Sequence, residues 1–146
     1  MLYRMIYSSE ASEHIGPSDL SKILDDARVG NEARNVTGVL LYADGVFCQV
    51  LEGEREMLES LTESIRRDTR HKSMKVFHRS EIAQRTFDDW RMAYVDASAA
   101  DMSRWAGLEG AVTIDQLLEQ LHNDVSRIPK ILVHIVEAVA EQSGNA

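Results

Sequence analysis

The chain opens on an alternating stretch, "LYRMIYSS" (2–9), with Tyr3, Met5 and Tyr7 on one side and Leu2, Arg4 and Ile6 on the other. That period of two predicts a first strand. After Gly16 and Pro17, Ser18 can cap a helix over 18–29, in which Leu20, Ile23, Leu24 and Ala27 recur with helical spacing and Gly30 suits the end. "NVTGVLLYADGVFCQVLEG" then places two apolar, β-rich runs around Asp44-Gly45, a hairpin signal. From Glu54, Met57, Leu58, Leu61 and Ile65 return to helical spacing, which ends in the charged "RRDTRH". "MKVFHRSEI" (74–82) and "WRMAYVD" (90–96) predict a fourth and a fifth strand.

The order βαββαββ, with two helices available for one face of a five-stranded mixed sheet, predicts an α+β ferredoxin-like sandwich. The hairpin strands are apolar on both sides, so the other sheet face needs a cover too. Past residue 96 the pattern is purely helical. "ASAADMSRWAGL" gathers Ala99, Met102, Trp105 and Leu108 on one side, Thr113 and Gln116 stand in capping-box positions, and Pro129 can start a last helix. These helices are expected to cover the second face, leaving part of the Ile131–Val139 stripe free to pair with another subunit or partner. The expected division is therefore a sensing part, 1–96, and a helical extension, 97–146, for output or oligomerisation.

Length and composition sharpen this. The 146 residues suit one domain, and a formal charge of −8 opposes a phosphate backbone, so nucleic acid is not an expected partner. The single cysteine, Cys48, cannot form an internal disulfide, and neither a signal peptide nor a membrane-length apolar run is present, so a cytoplasmic location is expected. His14, His78, His122 and His134 are too scattered to read as a metal site.

Three polar side chains need explaining: Tyr7 on the first strand, Gln49 on the third and Asn31 after the first helix. Gln49 shares a face with Phe47 and Leu51, and a buried amide needs partners. Tyr7 could be one, as an ordinary buried pair. Asn31 alone reads as a helix terminator, because Asn tolerates left-handed backbone.

In combination, "YRMIYSS", "ARVGNEARNVTGVLLYADGVFCQVLEGE", "RRDTRH" and "RTFDDWRM" resemble the BLUF domain, the sensor of blue light using FAD, across Leu2 to about Val95. The resemblance implies a flavin cofactor, FAD or FMN, and photochemistry in place of enzymatic turnover. Tyr7 would be the reversible donor of an electron and a proton, and Gln49 the relay beside the flavin edge. Asn31 would bind the pyrimidine end of the ring. Ile23, Ala27, Leu40, Phe47 and Ile65 are available as apolar walls for such a ring. By the same resemblance Asp68, Arg70 and His71 border the flavin, although they also read as a charged helix end suited to the helix dipole. Trp90 and Met92 would start the strand beside the glutamine and pass its change outward, or else be plain core packing. Ala27 and Gly30 stand where some members carry polar side chains, so fewer contacts to the flavin side chain are expected.

The output of so short a chain is expected to be a light-dependent change in a homo-oligomer or a downstream protein partner. Two further readings stay open on the residues alone: a ferredoxin-like interaction module without chromophore, and a flavin-dependent oxidoreductase.

Overall fold

In the computed structural model, which describes residues 1–88, 90–108 and 113–143, the chain forms β1 (Leu2–Ala11), α1 (Pro17–Ala33), β2 (Thr37–Ala43), β3 (Val46–Glu54) and α2 (Arg55–Arg67). There follow β4 (His71–Glu81), β5 (Ala93–Val95), α3 (Ala99–Trp105), α4 (Ile114–Asn123), a 3-10 turn at Val125–Arg127 and α5 (Ile128–Ser143). The strands make one sheet in the order β4-β1-β3-β2-β5. β1 runs antiparallel to β3 and β4, β2 antiparallel to β3, and β5 parallel to β2. Each βαβ crossover skips one strand, which is the split arrangement of a ferredoxin-like α+β sandwich.

Local chemistry explains the tight points. Asp44 (φ 52°) and Gly45 (φ 79°) are both left-handed, as a two-residue type I′ hairpin requires. Gly38 lets β2 approach β3, since a Cβ there would lie 2.4 Å from the Val50 carbonyl oxygen.

Strand alternation sorts the sheet into two cores. Met5, Tyr7, Leu40, Phe47 and Leu51 face α1 and α2, where Ile23 and Leu58 meet them. Ile6, Val39, Leu41, Cys48 and Val50 face the C-terminal helices. Cys48 is therefore turned away from Gln49, as alternation predicts.

Several boundaries differ from the sequence reading. Pro17 occupies the first helical turn and Gly16 becomes the N-cap, in place of Ser18. α1 runs through Gly30 to Ala33, so Asn31 lies inside its last turn; the left-handed residue beyond the helix is Asn35, φ 52°. β4 begins at His71, three residues early, and β5 is only Ala93–Val95, so Trp90 and Met92 precede it. β5 also does not lie beside the glutamine strand. Both edges of β3 are taken by β1 and β2, and β5 pairs with β2 through Val39↔Ala93 and Leu41↔Val95.

The stripe on α5 is not left free. Ile131, Leu132, Ile135 and Val139 are 1–5% exposed inside the chain's own second core, while Val133 points outward at 56%. The amphipathic face exists to close the sheet, which removes the sequence-based argument for a subunit interface there.

Glu52 is wholly buried, a charge the strand pattern does not foretell. It binds Arg4 at 2.9 Å and accepts the backbone N–H groups of Thr86 (2.6 Å) and Phe87 (3.0 Å), thereby pinning the loop between β4 and β5. A buried carboxylate is tolerable only with such a full set of donors.

Candidate functional site

On the α1–α2 side, Tyr7, Gln49 and Leu40 stand directly opposite one another on β1, β3 and β2. A cleft of about 140 Å³ opens between that face and the two helices. Ile23 and Ala27 of α1, Leu61 and Ile65 of α2, and Met92 give it apolar walls, while Asn31 and Gln49 enter it as amides. Leu40 and Phe47, expected as walls, do not line it: both are fully buried in the core between the sheet and the two helices. Phe47 packs against the His71 ring at 4.7 Å.

Among the described residues, three buried side-chain atoms have no hydrogen-bond partner: Tyr7 Oη, Asn31 Oδ1 and Gln49 Oε1. Each such group costs about 1–3 kcal/mol if nothing satisfies it. Asn31 and Gln49 line the cleft, and Tyr7, the register partner of Gln49, does not, so the two amides point to a ligand with polar atoms. Asn31 narrows the chemistry further. Its Nδ2 already donates to the Arg91 carbonyl, leaving an acceptor for a ligand N–H. A flat, largely apolar ring carrying an imide N–H and carbonyls along one edge fits these walls and these orphaned atoms. A flavin is such a ring.

Asp68, Arg70 and Asp26 form an ion-pair group at the cleft. Arg70 donates to Asp68 through Nη2 (2.6 Å) and Nε (3.0 Å), and through Nη1 to Asp26 (3.0 Å). The Arg70 hydrogen bonds hold the Asp68 carboxyl below its usual range. Arg70 and His71 do not cap α2; its last turn carries Arg66 and Arg67, and His71 belongs to β4. His71 Nδ1 lies 2.8 Å from Ser9 Oγ, and burial lowers its pKa, with Arg70 acting in the same direction against Asp68.

Burial, followed by Cys48 and Asp68, raises the Tyr7 pKa well above that of a free phenol, so Tyr7 keeps its proton at ordinary pH. Cys48, on the other face, is pushed up to about 12, chiefly by burial, and is an unreactive thiol.

The two relay candidates fall on different sides. Met92 is buried in the cleft wall, whereas Trp90 stacks on Phe87 at 5.7 Å and packs against the second core. α1 and β2 hold this segment by three successive carbonyls: Gly38 N–H donates to Trp90 (2.9 Å), Asn31 to Arg91, and Arg28 Nε to Met92 (3.0 Å). The sequence reading did not single out Asp26, Arg34, Leu61 or Ser64, which also line the cleft. Asp26 and Ser64 stand three residues after Ile23 and Leu61, a helical offset that could have named them.

A family model described as "Sensors of blue-light using FAD", BLUF, matches residues 2–93. The photoactivated adenylate cyclase subunit beta of Euglena longa is 34% identical over 92 residues, 62% of this chain and 11% of that protein. The chain thus spans about a tenth of the length of such curated relatives. Among solved structures, "BlsA photo-activated state" superposes with a TM-score of 0.75 at 30% identity, covering 95% of each chain. Klebsiella pneumoniae BlrP1, solved with FMN and cyclic diGMP, gives 0.63 at 31% identity over 85% of this chain and 35% of its own.

Proposed function

The chain belongs to the BLUF family of blue-light sensors, and on that premise we propose that Tyr7, Gln49 and Asn31 form the photochemical site of a flavin-loaded sensor. The observation that carries this reading is that Asn31 and Gln49, each with an unpartnered oxygen, line one cleft, while the unpartnered Tyr7 hydroxyl belongs to the register partner of Gln49. A bound flavin supplies the blue-light absorption and accepts an electron and a proton. The chain's residues do the rest. Tyr7 gives up both from its buried hydroxyl and takes them back. Gln49, its cross-strand neighbour, passes the proton and settles into a changed hydrogen-bonding state. Asn31 accepts from the ring's imide N–H, while Ile23, Ala27 and Ile65 exclude water from its faces. Asp68, Arg70 and His71 stand beside these groups at the cleft. Met92 reads the change at the cleft wall, and Trp90 faces the C-terminal core.

FAD is the family's chromophore, and FMN satisfies the same ring contacts, because the residues named here address the ring and not the tail. BLUF domains are sensors. Within these 146 residues we assign sensing without turnover: residues 1–96 sense, and the helices of 97–146 pass the change to a protein partner or to a second copy. Family membership gives no support to the oxidoreductase or the chromophore-free module. Among the described residues no helix is long and apolar enough to cross a membrane.

The test is spectroscopic. Protein loaded with FAD or FMN is expected to shift its absorption reversibly to the red under blue light and to resist bleaching by NAD(P)H. A flavin-loaded protein that does not shift overturns the assignment.

A further inference from the structure

Tyr7 packs on the α1–α2 side of the sheet, so the next residue of β1, Ser8, points the opposite way, toward the C-terminal helices. Ser8 is 2% exposed, and its Oγ donates to Asp115 Oδ1 at 3.0 Å, in the first turn of α4. The other carboxylate oxygen accepts from Lys75 Nζ of β4 at 3.2 Å. Ser8 and Lys75 are register partners across β1 and β4, so one carboxylate straps two neighbouring strands to one helix.

Two features make this contact informative. The β1–β4 ladder is irregular on both sides of it, with register shifts between Ile6 and Tyr7 and between Ser8 and Glu10. Such breaks loosen the pairing locally and recur beside active sites. Ile114, Leu117, Leu118 and Leu121 of α4 pack in the second core, contacts that are apolar and non-directional. Asp115, by contrast, depends on where the Ser8 hydroxyl stands.

We propose that Asp115 is a positioning residue through which α4 reads the state of Tyr7: a shift of β1 at Tyr7 is transmitted by Ser8 to the start of α4. This rests on Tyr7 being the photochemical donor. Neither Ser8 nor Asp115 lines the flavin cleft, so replacing them should leave the chromophore's response intact.

The experiment follows hydrogen exchange of residues 113–123 in the full flavin-loaded chain, dark and under blue light, beside its absorption spectrum. In the wild type, light should change exchange in α4. Ser8→Ala and Asp115→Ala should keep the full red shift while the light-minus-dark difference falls by about twofold or more, the low end of coupling energies along such networks. Asp115→Asn, which retains an oxygen for the Ser8 hydroxyl, should keep most of the difference. An α4 difference that persists in both alanine variants, or that is missing in a wild type that does shift, overturns the proposal. A wild type without any red shift instead overturns the photochemical reading and the inference with it.

Discussion

Tyr7 and Gln49 are register partners on the neighbouring strands β1 and β3, on the same face of the sheet, and each carries a buried oxygen with no partner. The sheet fixes their proximity, since directly opposed residues of an antiparallel pair keep their Cβ atoms about 4.5–5.5 Å apart. The proposed donor and relay are thus held adjacent before any ligand enters. The arrangement is costly to stability, as expected of a site that breaks the rules of a well-satisfied core.

That cost can be measured. Gln49→Leu removes an unsatisfied amide and keeps the volume apolar, so flavin-free protein should gain about 1 kcal/mol or more in denaturant unfolding. The same variant should lose the light-induced red shift. A simultaneous gain in stability and loss of response distinguishes a functional amide from a structural one.

Asn31 should behave in the opposite sense. Asn31→Ala leaves the Arg91 carbonyl without its donor and should cost about 1–3 kcal/mol of stability. It should also weaken flavin binding by roughly tenfold, the effect of one lost hydrogen bond, as read by titration with FMN.

Much of this site was legible in the strand pattern. Period-two alternation placed Gln49 with Phe47 and Leu51, and Asp44-Gly45 set the hairpin register that brings Leu40 opposite it. Asn31's second task was not legible, because Arg91 lies 60 residues away and contributes only a backbone carbonyl. The parallel docking of β5 on β2 is equally non-local and leaves no periodic trace. On α5 the apolar stripe told which side is covered but not by what, and the chain's own sheet covers it.

That correction has a direct consequence. Ile135→Ala should destabilise the protein by about 2–5 kcal/mol, as a buried truncation does. Val133→Ala, on the outer side of the same helix, should stay within about 0.5 kcal/mol. Thermal or chemical unfolding of the two variants checks this.

Acid should destabilise the fold through two histidines. Burial holds the pKa values of both His71 and His78 below the ordinary range, so the folded state takes up their protons at lower pH than the unfolded chain, which protonates at about pH 6.5. With more protons bound to the unfolded state, stability falls as pH drops below that value and is flat above it. Replacing both with Gln should make the slope shallower from about pH 6.5 toward pH 5, measured by unfolding midpoints across that window.

The central claim is that the Tyr7 hydroxyl drives the response, and the most direct measurement is the blue-light difference spectrum of Tyr7→Phe beside the wild type at equal flavin loading. The expected result is a reversible red shift in the wild type and none in the variant, whose ring still fills its buried place in the core. A Tyr7→Phe protein that binds flavin and shifts as the wild type does would contradict it.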